Sequence, residues 1–303
     1  MHAVNKDTAH RYLQLMRFDS WIGWLFNFAL GSILFELPPI NHFALLSASF
    51  ILATAGIFVL NQYFDRESDK LNELKRSLPI SSGNVSSKAA LLVFFSLTVL
   101  SVCLVLLTDV SLLPLFLTYL GIWICYSAPP FRLKSRPVID VIAAGVGSGV
   151  LPFIMGLQVT HQLTLDFSSF WIRRHYLDAF LGAVPLLLFH SSSHLFQAIG
   201  DYEADLMGDV RTFVVRYGKK TSTRVAKLLL VAGVSLPIIY GLLNLPLINF
   251  LTWYLIVFIC CVPAMFYVMN LLREPSKDNI NTLRGISRKV SPPILAVIWI
   301  YVY

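Results

Sequence analysis

The sequence predicts an all-α membrane protein, nine transmembrane helices around a central cavity, and three observations carry that expectation. Hydrophobic residues make up 56% of the 303 and charged residues only 14%, too little polar surface to cover a water-soluble domain. Apolar runs of about the 20 residues that a helix needs to cross a hydrocarbon core recur along the whole chain. Two of those runs end on the same acidic pattern, NQYFDRESD from Asn61 and QAIGDYEAD from Gln197.

The first 19 residues are polar and amphipathic, without the short apolar core and small-residue cleavage site of a secretory signal, so the first span is expected to stay. The runs then lie at 20–37, 43–64, 88–107, 111–127, 138–158, 178–200, 223–244, 246–270 and 286–303. Spans 1 to 4 resemble spans 5 to 8 in layout, which reads as two four-helix pseudo-repeats plus a final helix in one domain covering 1–303. Cys103, Cys125, Cys260 and Cys261 all fall inside apolar runs without metal-ligand spacing and read as small apolar packers.

Threaded with the amino terminus in the cytoplasm, nine spans put every one of the 24 lysines and arginines on the inner side except Arg173 and Arg174. Inner loops collect positive charge, so this threading is the expected orientation, with the carboxyl terminus across the bilayer. The net charge of +7 follows from the same bias and from contact with an anionic leaflet, with no need of a nucleic-acid partner.

Asn61, Asp65 and Asp69 stand at i, i+4 and i+8, and Gln197, Asp201 and Asp205 repeat that spacing at the inner end of span 6. On a continuing helix each trio shares one face. Two carboxylates one turn apart repel unless a cation lies between them, and an oxygen-only set suits magnesium, bound through a few carboxylates plus substrate phosphates. Each motif, taken singly, also fits a solvated helix end. Its repetition at equivalent positions favours the metal. Lys75 and Arg76 follow the first motif, and Arg132 and Lys134 lie in YSAPPFRLKSRP, where they are placed to clamp a polyanion bridged by metal.

NQYFDRESD, KRSLPISSG after it, YSAPPFRLK, and DYEAD followed by GDVRTFVVRYG together resemble the UbiA-type intramembrane prenyltransferases, over nearly the whole chain. The resemblance implies a helical bundle around a cavity open to lipid, magnesium held by the acidic motifs 61–83 and 197–220, and a polyprenyl diphosphate as donor. It implies roles for Asp65, Asp69, Asp201 and Asp205 as metal ligands, for Asn61 and Gln197 in completing or orienting their shells, and for Lys75, Arg76, Arg132 and Lys134 on the diphosphate. Gln197 stands where many members carry asparagine. Tyr126 either lines the cavity mouth or belongs to the interfacial aromatic belt. His190 and His194 continue the second motif face inward and are expected to line the cavity or touch the acceptor; zinc is the weaker reading of their spacing. Asn27 and Asp140 either face the cavity or hydrogen-bond between helices. The loops after spans 2 and 6 are expected to close over the diphosphate.

The acceptor is lipophilic. An aromatic quinone precursor is the leading expectation, with a glycerol phosphate lipid or carotenoid as the alternative. A transporter is the rival from another class, but it calls for charges near the membrane midplane, whereas these acidic clusters sit at the inner ends of their spans.

Overall fold

The chain was analysed as a computed structural model that describes residues 6–33, 37–160 and 170–243, together with 278, 279 and 282. All regular structure among the described residues is helical. A short α1 (Lys6–Met16) leads into α2 (Phe18–Ile33), followed by α3 (Ile40–Leu71), α4 (Ser87–Thr108), α5 (Leu113–Ser127), α6 (Ile139–Gly145), α7 (Leu151–Thr160), α8 (Phe170–Met207) and α9 (Phe213–Leu242). A π-helical turn, Val146–Val150, joins α6 and α7 into one span. Six spans among the described residues are long and apolar enough to cross a membrane, and α2 is a shorter apolar helix beside them. The expected eighth and ninth spans, 246–270 and 286–303, lie outside the described residues.

Helix α4 shows which way the bundle faces. Leu92, Phe95, Val99 and Leu106 follow one another at helical spacing and are exposed, and Leu107 is 85% exposed. An apolar stripe of this kind is stable only against hydrocarbon. The α6–α7 span is the opposite case, the most buried of the six. Its run AAGVGSG carries almost no side chain, so neighbouring backbones approach closely. A Cβ at Gly147 would meet the Trp123 ring at 2.7 Å, and one at Gly149 would meet the Leu186 carbonyl at 2.7 Å. Between α2 and α7 the contact is reciprocal: a Cβ at Gly31 would run into the Phe153 carbonyl, and one at Gly156 into the Phe28 carbonyl.

An aromatic core of Phe28, Phe50, Phe116, Tyr119 and Trp123 fills the space between α2, α3, α5 and α7. The Tyr119 hydroxyl, fully removed from water, pairs with Thr54 Oγ1 at 2.8 Å, as a buried phenol must. Helix α3 packs along α4, and α8 along α9, so each motif-bearing helix turns back through a loop into an antiparallel neighbour.

The two motif helices run further than their apolar stretches. The sequence places the ends of spans 2 and 6 near 64 and 200, but α3 continues to Leu71 and α8 to Met207. The helical hydrogen-bond ladder persists through both acidic patterns, so the assumed single face exists. The loop after α3 differs from the expected free lid. Ile80 and Val85 are buried in a cluster with Leu15, Val59, Leu60, Ala90 and Phe94, which pins that loop to the bundle.

Candidate active site

The carboxyl-terminal ends of α3 and α8 meet. Gly208 sits so close to Ser68 that an added Cβ would lie 3.0 Å from the Ser68 Cβ. Asn72, which caps α3, donates its Nδ2 hydrogen to Asp201 Oδ1 at 3.0 Å. Lys75, three residues on, donates its Nζ to Asp201 Oδ2 at 2.8 Å and lies 3.9 Å from Asp69 Oδ1. A single ammonium group therefore touches both acidic motifs, although 126 residues separate it from Asp201 along the chain.

Asp65 and Asp69 are buried at the same end of α3, where an ionised carboxylate needs partners. Asp65 Oδ1 accepts from Lys134 Nζ, and Oδ2 accepts from Asn61 Nδ2 at 2.8 Å. Asn61 also donates to Ser127 Oγ at 3.3 Å, which ties the motif to the end of α5. Lys134 reaches Asp65 from the turn Leu133–Ser135, which is preceded by Arg132 in the left-handed region (φ 37°). Burial pulls the Lys134 ammonium down to about 8, against the opposing charges of Asp205 and Asp201. For Lys75, burial also works against the charge, but Asp201 and Asp69 outweigh it and hold its pKa above the ordinary lysine value.

Asp205 completes the set from the next turn of α8. Its charge and that of Asp201 both act on Lys134. Three carboxylates, Asp65, Asp69 and Asp201, thus contact two lysine ammonium groups, with Asp205 one turn along α8, an oxygen-rich set whose donor chemistry fits a hard divalent cation.

Not every expected residue joins the cluster. Arg76 is exposed on the loop surface and makes no ion pair among the described residues. Arg132 is half-buried, its Nε without a hydrogen-bond partner, and Gln197 is exposed one turn before Asp201. Tyr126 stands inside the helix bundle, edge-on to Trp123 at 5.1 Å and to the His194 ring at 6.2 Å. Tyr126 lies on the last turn of α5 beside Ser127, whose Oγ accepts from Asn61 of the first motif. Trp123 in turn stacks on Trp24 with ring centroids 4.5 Å apart, so an aromatic path leads from the acidic end into the bundle.

Three side chains outside the motifs also take part. Asn72 is one. Arg17, at the break between α1 and α2, lies near enough for its charge to act on both Lys75 and Asp69. Asp140 is the third, fully buried, with Oδ2 accepting the Phe213 backbone N–H at 2.7 Å and so holding the start of α9 to α6. It also lies 3.9 Å from His194 Nε2. Asn27 resolves to an interhelical role: its Nδ2 bonds the Ser148 carbonyl at 2.8 Å and lies 2.6 Å from His190 Nε2. Of Asn72, Arg17 and Asp140, the sequence singled out only Asp140, at the edge of an apolar run.

The sequence model of the UbiA prenyltransferase family matches residues 24–287. The chain belongs to that family. Among its UbiA relatives, the 4-hydroxybenzoate octaprenyltransferase of Shewanella piezotolerans is 28% identical over 172 residues, covering 55% of this chain and 58% of that enzyme. The digeranylgeranylglyceryl phosphate synthase of Methanobrevibacter smithii is 27% identical over 275 residues, covering 89% of this chain and 90% of the synthase. In structure, the chain is similar to a UbiA homolog from Archaeoglobus fulgidus bound to GPP and Mg2+, with a TM-score of 0.75 and 23% identity over 96% of this chain and 99% of the other. That likeness gives the described residues a UbiA-like fold.

Proposed function

We propose that this UbiA-family member transfers a polyprenyl group from a polyprenyl diphosphate to a lipophilic acceptor, at the inner ends of α3 and α8, with magnesium as cofactor. The observation that carries the reading is the convergence of both acidic motifs on Lys75. Magnesium and a prenyl diphosphate in the Archaeoglobus homolog support the choice of ligand. The positive-inside bias supports a site that opens to the cytoplasm.

Transfer breaks the bond between C1 of the prenyl chain and the diphosphate oxygen, with the electron pair leaving on oxygen. Bound magnesium supplies the positive charge that stabilises this leaving group. Asp65, Asp69, Asp201 and Asp205 fix the position of that charge, with Asn61 and Asn72 orienting Asp65 and Asp201. Lys75 and Lys134 would turn to the diphosphate oxygens, with the half-buried Arg132 beside Lys134 in the same turn. Tyr126, Trp123 and Trp24 offer π faces to the allylic cation and exclude water from it. The acceptor's nucleophilic carbon or oxygen then forms the new bond to C1 and gives up a proton.

For the acceptor we take an aromatic quinone precursor, supported by the relation to the 4-hydroxybenzoate enzyme. A glycerol phosphate lipid is the second reading, favoured by the longer match to the archaeal synthase. Purified protein in nanodiscs, given geranylgeranyl diphosphate, magnesium and either 4-hydroxybenzoate or geranylgeranylglyceryl phosphate, decides between them. The reading expects a magnesium-dependent prenylated product from one acceptor and none after chelation. Equal turnover in metal-free buffer overturns it.

A further inference from the structure

The central carboxylate of each motif already has both oxygens in hydrogen bonds, one of them to a lysine. Asp65 gives Oδ1 to Lys134 and Oδ2 to Asn61. Asp201 gives Oδ1 to Asn72 and Oδ2 to Lys75. Lys75 also leans on Asp69. Asp205, by contrast, has no hydrogen bond or ion pair from its carboxylate among the described residues. A divalent cation that bridges from Asp205 and Asp69 to Asp65 or Asp201 competes with a lysine for the oxygen it takes. The displaced ammonium, half-buried in one case and buried in the other, then requires a new anion, because an uncompensated charge in such surroundings is costly. A diphosphate brought in with the cation provides that anion. Lysine suits the exchange, since its flexible four-carbon stem lets the ammonium move between neighbouring acceptors while its backbone stays in place.

We propose that Lys75 and Lys134 are resident cations of this site, which hold Asp201, Asp69 and Asp65 until a metal–diphosphate pair arrives and then turn to the diphosphate oxygens, so that the chain takes up metal and diphosphate together and neither tightly alone. The proposal rests on the prenyl-diphosphate reading above. Coupling of this kind is reciprocal: whatever factor the diphosphate adds to metal affinity, the metal adds to diphosphate affinity. It also keeps the pocket closed to free magnesium and so discourages a metal-loaded site without donor.

The test is Mn2+ binding to the full chain in nanodiscs, read from the electron paramagnetic resonance of free Mn2+. It is run alone and with the inert donor analogue geranylgeranyl thiolodiphosphate, each against a protein-free control. The wild type should bind Mn2+ at least about tenfold more tightly with the analogue than without it, the scale of one desolvated charge pair. Lys75→Gln and Lys134→Gln each keep a hydrogen-bond donor but lose the charge, and each should tighten Mn2+ binding in the absence of analogue by a similar factor and weaken the coupling. If one variant fails to elute as a folded species, the other decides. Wild-type Mn2+ binding that is equally tight with and without analogue, or glutamine variants that leave it unchanged, overturns the resident-cation proposal and leaves the prenyltransferase reading standing. No Mn2+ binding by the wild type even with the analogue overturns both.

Discussion

Asp201 and Asp140 are both acidic residues of the inner half of the bundle, yet their surroundings assign them opposite work. Asp201 is held by movable partners, a lysine tip and an asparagine amide, so Asp201→Asn should leave folding intact while lowering prenyl transfer by at least about a hundredfold, the usual scale of a lost electrostatic catalytic group. Size-exclusion elution and turnover, measured on the same preparation, check this; a folded Asp201→Asn enzyme with wild-type turnover contradicts it. Asp140 is 0% exposed and caps the start of α9. Asp140→Ala should therefore cost about 1–2 kcal/mol, seen as a lower thermal midpoint in detergent, and Asp140→Asn, which keeps the acceptor oxygen, should cost less. Equal midpoints for all three proteins contradict the capping role. At this scale the four motif aspartates were legible because their spacing is local and repeated. Asn72 and Arg17 were not, because what makes them part of the site is proximity across the fold: Asn72 meets Asp201 over a sequence separation of 129. Arg76 was over-read for the same reason in reverse, since adjacency to Lys75 says nothing about which side of a loop a side chain takes.

Helices rather than residues decide how the two halves of the site are brought together. Helical periodicity and run length made six of the nine expected spans recognisable in sequence, with the shorter α2 where the first was expected, while the last two fall outside the described residues. What hydropathy missed are the polar ends: α3 and α8 carry their helical ladder past the apolar runs, because backbone hydrogen bonding continues where hydropathy stops, and a short helical stretch from Phe213 precedes the seventh span across a kink at Gly218 (φ 79°). The reciprocal glycine contact between α2 and α7 was equally invisible, as a glycine in an apolar run does not announce which backbone lies against it. Its consequence is testable. Gly156→Leu should separate α2 from α7 and sharply reduce the folded fraction, and Gly156→Ala should cost about 1–3 kcal/mol as an overpacked contact. Gly121→Ala, where an added Cβ meets nothing within 4 Å, should behave as the wild type. Comparable losses at Gly121 and Gly156 in a fluorescence-detected size-exclusion assay contradict the proposed packing.

For the molecule as a whole, the mechanism requires both acidic motifs on one side of the membrane and the α4–α5 turn on the other. Glu67 and Asp209 are exposed beside the two motifs, with side chains 69% and 87% accessible, and Val110 is exposed at the opposite end of the bundle. Cysteines introduced at Glu67 and Asp209 in a background without native thiols should react with an impermeant maleimide only from the cytoplasmic face, and one at Val110 only from the other face. Labelling of the Glu67 and Asp209 positions from opposite faces contradicts a shared site. The most direct measurement is a structure of the protein with geranylgeranyl thiolodiphosphate and Mn2+, phased to show anomalous scattering from the metal. The account predicts anomalous peaks within coordination distance of Asp65, Asp69, Asp201 and Asp205, with the diphosphate oxygens in contact with Lys75 and Lys134. Anomalous density elsewhere, or a diphosphate bound with no metal between it and these carboxylates, contradicts it.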